Sequence, residues 1–426
     1  MPQDELLATR AASLRQQILD VAKGPGGMVI AFTYFDTRTP LQEGDELHWY
    51  TQNVLDGVWG GNTPKPTVAE WYYGENTLWA TGYFLWSQML RYRATGEAEA
   101  LATARKCFLD LNNYFRLSRQ LDPGVLGKPH GGRGGVTMSY DQSANPILYY
   151  VAFAQELATP EEKAIAVENM ALHGDYYLRR NWVMNHHGNF QRIVEPAHTS
   201  TMKYLACVHA AYVLTGETRF RDAAFRYLRQ IVESNLPWPS NPYEINHNLY
   251  YWGMLCDYWS RTEFGEITGV AVEWTKCIHE YWLAARAAID EEGVMRRGPY
   301  DNQTRTFTPY PTEWITPENL APSSTLDNGE RRIKSRFVSA TAYPNRGLNS
   351  ASFAALGLLT HSYGLDEEAV ALAKRTLLRM DEDAQRYWWD DGTLPAEMKG
   401  MHNIFAPEVP ALWLVAYWTG RSQGVW

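Results

Sequence analysis

The chain of 426 residues has no uninterrupted apolar run of about 18 residues, the length that a helix needs to cross a bilayer, so a membrane-spanning helix is excluded. Its opening residues, Met1 to Leu7, lack the basic and apolar regions of a secretory leader. The expectation is a soluble protein, cytoplasmic as the chain stands and periplasmic or secreted if a leader has been removed. Clustered Lys and Arg are missing too, and with a net charge of -9 and a pI near 5.7 nucleic acid is excluded as a partner, since phosphate binding rests on basic clusters. Cysteine is scarce: Cys107, Cys207, Cys256 and Cys277 are scattered, with no CxxC and no histidine at zinc-finger spacing. That pattern argues against a disulfide framework and a structural metal, and no cofactor is expected.

Aromatic residues, in contrast, are abundant. The 17 Trp and 26 Tyr exceed the usual share in a chain that is otherwise ordinary, at 45% hydrophobic and 20% charged. Any single ring is most often core. A surplus gathered in loops would instead supply flat faces that stack on sugar rings.

Helical spacing of apolar residues recurs along the chain, with similar punctuation at Leu90-Arg-Tyr-Arg-Ala-Thr-Gly-Glu97, Ala211-Tyr-Val-Leu-Thr-Gly-Glu217 and Thr360-His-Ser-Tyr-Gly-Leu-Asp366. Gly ends one helix and an acidic residue opens the next. This signal predicts strongly apolar helices near 73–94, 142–156, 199–214, 247–262, 349–363 and 407–419. More amphipathic partners follow near 97–120, 160–179, 217–234, 267–290 and 366–385. The missing sixth partner is supplied by residues 5–23, where Leu6, Leu7, Leu14, Ile18 and Val21 form an apolar stripe. Six apolar inner helices and six amphipathic outer ones predict one all-α domain over 1–426, an (α/α)6 toroid with room for a seventh hairpin in its loops. An irregular bundle or an open solenoid is the alternative.

Connections from inner to outer helix are short, whereas those running back span about 24–72, 121–141, 180–198, 235–246, 291–348 and 386–406. All the long ones fall on one rim, and loops of such length in a compact domain usually carry function. The same rim receives the N-termini of the inner helices, whose unpaired N–H groups favour an anion. An acidic ligand is therefore expected despite the acidic net charge. The loop 291–348 has the length and the proline and charge content of a lid.

Of 11 His, those at 48, 130, 186, 187, 198 and 402 lie in long loops, and His247 stands at the start of an inner helix. The glycine-rich stretch Lys128-Pro-His-Gly-Gly-Arg-Gly-Gly135 lacks Walker spacing and a preceding strand, so it is not a phosphate loop. The sharpest signal is Asn241-Pro-Tyr-Glu-Ile-Asn-His-Asn-Leu-Tyr-Tyr-Trp-Gly253, which sets Asn246 and His247 side by side at a helix start with Tyr250 and Tyr251 a turn on. Helix capping by Asn and packing by His is the plain alternative.

In this segment the chain resembles the helical-toroid polysaccharide lyases, the alginate and glucuronan lyases of polysaccharide lyase families 5 and 38. The resemblance extends to Tyr343-Pro-Asn-Arg-Gly-Leu-Asn349, where family 5 enzymes also open an inner helix with Arg-Gly. It implies that Asn246 and Arg346 neutralise a uronate carboxylate and that His247 takes part in proton abstraction. His198, His402, His130 and Tyr250 are the further expected substrate contacts. Where family 5 has its catalytic Tyr after the Arg, this chain has Ser352 and Phe353. The acid must then be a loop tyrosine, Tyr300 or Tyr343. The implied reaction is β-elimination: loss of the proton alpha to the carboxylate and expulsion of the C4 oxygen, with hydrogen-bond donors stabilising the enolate and a phenol protonating the leaving group.

Three rivals stand beside this expectation. A glycoside hydrolase of the same architecture, resembling the unsaturated glucuronyl hydrolases, would use Glu75 and Asp141 as acid and base; the bland role of both is first-turn capping. A sugar epimerase would oppose two histidines such as His198 and His402. A silent carbohydrate-binding protein would keep the aromatic rim without turnover.

Overall fold

The computed structural model describes residues 2–22, 28–42, 64–128, 137–139, 142, 144–194, 201–233, 243–245, 248–264, 274–296, 298–310, 345–386 and 403–426. Among them are thirteen α-helices: α1 (Gln3–Val21), α2 (Val68–Gly74), α3 (Thr77–Thr95), α4 (Ala98–Arg119), α5 (Ala144–Glu156), α6 (Pro160–Arg179), α7 (Thr201–Thr215), α8 (Thr218–Glu233), α9 (Asn248–Ser260), α10 (Trp274–Ala288), α11 (Asn345–Ser362), α12 (Ala369–Arg379) and α13 (Glu408–Gln423). The protein is mostly helical, as the apolar spacing predicts. No helix among the described residues is long and apolar enough to cross a membrane.

Local chemistry explains the boundaries. At the ends of α3 and α7 the chain repeats one device, Thr-Gly-Glu. Gly96 and Gly216 adopt φ of 70° and 74°, and each N–H reaches back 2.7 Å to a tyrosine carbonyl, Tyr92 and Tyr212 respectively. Glycine is required there because an L side chain is disfavoured in the left-handed region. The threonine hydroxyls accept from the next helix's lead-in, Glu97 N–H at 3.2 Å and Glu217 N–H at 3.1 Å. Capping boxes start α2 (Thr67 with Glu70) and α6 (Thr159 with Glu162, Pro160 at the first position).

Burial separates the helices into two kinds. In α7 every residue from Thr201 to Ala211 is buried, so the helix is enclosed on all sides and reads as a continuous apolar run. In α8 the buried residues Phe220, Ala224, Leu228 and Ile231 recur at helical spacing along one stripe, each large side chain contributing roughly 1.5–3 kcal/mol. Packing follows this division. The enclosed helices contact in the order α3, α5, α7, α9, α11, α13, and α13 packs back against α3. The amphipathic helices α4, α8, α10 and α12 lie against α3, α7, α9 and α11, the helices that precede them, while α6 packs against α5 and α7. Helix α1 lies against α13 and α12. At the α3–α5 contact Gly82 admits Pro146 so closely that a Cβ there would stand 2.9 Å from the Pro146 Cα.

Three details differ from the sequence reading. The first apolar helix is not continuous over 73–94 but breaks at Glu75 and Asn76, between α2 and α3. The last amphipathic segment is helical only to Arg379, with a single 3-10 turn at Asp383–Gln385. Small antiparallel sheets also occupy the long loops: β1 (Thr33–Tyr34) with β7 (Ile404–Phe405), β2 (Val183–His186) with β3 (Asn189–Arg192), and β4 (Tyr243–Ile245) with β5 (Gly298–Asp301) and β6 (Thr306–Phe307). Strands of two to four residues are too short to impose a period of two on the sequence.

Candidate active site at the long-loop rim

The helix break puts Glu75 and Asn76 at the mouth of α3. The Glu75 carboxylate accepts a hydrogen bond from the Lys128 ammonium, which belongs to the loop after α4 and is wholly buried. The Lys128 Nζ also stands 5.2 Å from the Trp71 ring centroid, and the His187 ring lies 5.7 Å from Trp71 on its other contact. The Lys128 N–H donates to the Thr137 carbonyl at 2.8 Å, and the Met138 N–H donates to the Asn185 carbonyl at 2.7 Å. His187, at φ 50°, sits in the tight turn between β2 and β3, where the Asn185 side chain accepts from the Gly188 N–H at 2.9 Å.

Asn76 relays between two more helix starts. Its amide donates to Glu408, the first residue of α13, at 2.8 Å, and its carbonyl accepts from Gln142, just before α5, at 2.7 Å. The starts of α3, α5 and α13 are therefore tied together. Glu408 is buried, and a carboxylate in a first turn complements the helix dipole.

Two further cations are buried in the first turns of enclosed helices. Lys203, in the first turn of α7, places its Nζ 4.8 Å from the rings of both Tyr251 and Trp252 in α9, a cation–π pair of contacts. Arg346, the second residue of α11, is 4% exposed. The start of α11 is fastened to α9 by the Tyr250 N–H donating to Ser352 Oγ at 3.3 Å, and to the preceding segment by the Met295 N–H donating to Ser350 Oγ at 3.3 Å. Lys128, Lys203, Arg346 and Glu408 are buried and Glu75 is largely so, and a charge withdrawn from water in this way persists only with partners.

Tyr300 is buried on β5, opposite Tyr243 on β4. β4 ends at Ile245, immediately before Asn246 and His247 in the chain. Burial raises the Tyr300 phenol above its ordinary range, Glu280 and Asp301 add to the rise, and Arg305 opposes it. The shift keeps the phenol protonated and makes it a weaker acid than a free tyrosine.

Of the residues singled out from the sequence, Arg346, Tyr300, Tyr250 and Glu75 are described. Asn246, His247, Tyr343, His198, His402, His130 and Asp141 lie outside the described residues. Tyr250 is 7% exposed and belongs to the wall of a cavity between the enclosed helices. Sequence reading passed over Asn76, Lys128, Gln142, Lys203 and Glu408. A signal existed for two of them: Lys203 and Glu408 are charges inside otherwise apolar helix runs, where an ionic side chain needs a reason. Among the described residues no group of three or more His, Cys, Asp or Glu is placed to hold a metal ion.

Comparison of the chain with family models, curated proteins and solved structures finds no match.

Proposed function

We propose that the enclosed helices form the inner wall of an (α/α)6 toroid and that its long-loop rim binds and cleaves a uronic-acid polysaccharide of the alginate or glucuronan type by β-elimination. The observation that carries this reading is the placing of three buried cations in a chain of net charge -9: Lys128 against Glu75 at the mouth of α3, and Lys203 and Arg346 in the first turns of α7 and α11. Cations concentrated against the charge of the whole, beside Trp71, Tyr251 and Trp252, fit an anionic sugar that is both paired and stacked. The closed order of helix contacts supports the toroid.

In this reading Arg346 and Asn246 hold the uronate carboxylate and stabilise the enolate as charge develops on it. The neutral imidazole of His247 takes the C5 proton, the C4–O bond breaks with formation of the C4–C5 double bond, and a tyrosine protonates the leaving oxygen. Tyr300 is preferred to Tyr343 for that step, because its strand is paired with the one leading into Asn246 and His247. The test is incubation with alginate, polymannuronate, polyguluronate and glucuronan while following the ultraviolet absorbance of the unsaturated uronate. A rise with any of them supports the lyase. No rise with all four sinks it.

A second reading rests on a specific observation. Glu75 and Glu408 are two carboxylates at the mouth of α3, Glu408 accepting from Asn76, the chain neighbour of Glu75, which suits a glycoside hydrolase using an acid and a base. Such an enzyme consumes the unsaturated chromophore in oligosaccharides that already carry it, whereas an epimerase leaves it unchanged.

A further inference from the structure

The chain that brings Lys128 to Glu75 leaves α4 at Arg119 and is fastened to α6 before it gets there. The Asp122 carboxylate accepts from the guanidinium groups of both Arg179 and Arg180 at the end of α6, and Arg179 also donates to the Pro123 carbonyl. Two residues after Asp122, the Gly124 carbonyl accepts from His173 Nδ1 at 2.7 Å. Gly124 has a φ of 87° and stands so close to α6 that a Cβ there would lie 1.9 Å from the Leu172 carbonyl oxygen. Val125, Leu126 and Gly127, all buried, then lead to Lys128.

The bond to Gly124 fixes the state of the imidazole. A carbonyl only accepts, so Nδ1 carries the proton and Nε2 is the bare nitrogen. Nε2 is buried with no hydrogen-bond partner among the described residues. Phe115 of α4 and Tyr177 of α6 stand edge-on to the ring, their centroids 5.6 and 5.2 Å away. Burial holds the ring neutral, lowering it from 6.5 to about 4 against the opposing effect of the Gly124 carbonyl. An apolar ring would fill the same pocket without leaving a bare nitrogen inside it, so packing alone gives no reason for histidine here. The buried Gly124 carbonyl gives one, since a buried acceptor deprived of its donor is costly.

We propose that His173 is a positioning residue: by holding the Gly124 carbonyl it sets the path of the chain that delivers the Lys128 ammonium to Glu75 and Trp71. Asp122 and its two arginines fasten the start of this segment, and His173 fastens it at the last point on α6 before Lys128. The placing of Lys128 does not depend on the reaction proposed for the rim, and it is read without turnover.

The measurement is the rate at which sulfo-N-hydroxysuccinimide acetate acetylates Lys128 in the full native chain, followed by peptide mass spectrometry, with exposed Lys163 on α6 as the reference. His173→Phe keeps a ring in the apolar pocket and removes the donor. It should raise the rate at Lys128 by roughly tenfold, the equivalent of about 1.4 kcal/mol, with Lys163 unchanged. His173→Asn keeps an N–H close to the place of Nδ1 and should restore the slow rate. A packing role predicts the reverse order, because Asn leaves a hole where Phe does not. Native protection of Lys128 in folded His173→Phe overturns the proposal, and so does faster reaction in His173→Asn than in His173→Phe. Should His173→Phe fail to fold, the nitrogen chemical shifts of the His173 ring in the native protein, identified by their absence from His173→Asn, decide instead. A proton on Nδ1 supports the proposal, and a proton on Nε2 alone overturns it.

Discussion

Lys128 and Glu75 form an ion pair between a loop and a helix mouth, with the lysine side chain 1% and the glutamate side chain 15% exposed. Both charges have left water, so each depends on the other. Lys128→Met strands the Glu75 carboxylate and should lower the unfolding free energy by about 3–5 kcal/mol, the usual effect of breaking a buried pair from one side. Combining it with Glu75→Gln should recover a substantial part. Urea unfolding of the two variants measures this, and equal losses in both would show that the pair is not the source.

Activity at the rim should depend on His247 and Arg346 in different ways. His247→Ala should remove turnover on the responsive polyuronate and leave the helical circular dichroism intact. Arg346→Lys keeps the charge but loses the planar fork that matches a carboxylate, and a reduction in kcat/KM of about 10²–10³, the scale of losing one transition-state donor, is expected. A fully active His247→Ala would end the assignment of that residue.

Buried Asp110 on α4 makes stability depend on pH between about 4 and about 7. Burial pushes its carboxyl from the usual 3.8 up to about 7, with Lys106 opposing. A raised acid favours the folded state below its unfolded value, and that contribution is lost as pH climbs from about 4 through about 7. Asp110→Asn has no such loss. It should gain on the native protein by roughly 1–3 kcal/mol at pH 8, on the scale of 1.36 kcal/mol per unit, with little difference at pH 4. Chemical denaturation at both pH values checks it, and parallel curves would refute it.

His173 and His209 act with the opposite sign. Burial lowers each from 6.5 to about 4, more strongly than the Gly124 carbonyl raises the first or Glu263 the second. A depressed histidine stabilises the fold above its unfolded value, so stability should fall as pH drops from 6.5 towards 4 while the unfolded chain takes up the protons. Replacing His209 by Gln should flatten that limb by about one proton in the pH dependence of unfolding.

Gly82→Ala should cost about 1–3 kcal/mol, the range for overpacking, because the new methyl meets the Pro146 backbone at 2.9 Å rather than a movable side chain. A thermal midpoint unchanged within error would show that α3 and α5 can separate.

Where the sequence was legible, a local physical device wrote the signal. Thr95-Gly96-Glu97 and Thr215-Gly216-Glu217 mark helix ends because the left-handed glycine is needed wherever it stands, and the stripe of α8 follows from one-sided burial. The interruption at Glu75 and Asn76 escaped because the apolar spacing continues on both sides of it. The rim was harder to read for a different reason. Asn76 meets Glu408 across 332 positions and Lys128 meets Glu75 across 53, so no window of sequence contains either pair. Arg346 could be selected only by resemblance and Tyr300 only as a loop tyrosine where that resemblance fails, and their burial became visible only with α11 and β5 in place.

The seat of α1 imposes an order on synthesis. Its stripe of Leu7, Leu14 and Ile18 is covered by α13, and the Arg10 guanidinium donates to the carbonyls of Leu377, Leu378 and Met380 at the end of α12. A ribosome therefore releases α1 well ahead of α13, the surface that receives it. Until Glu408–Gln423 emerge that stripe is bare, an early docking point for chaperones, and closure of the helix circuit waits for α13.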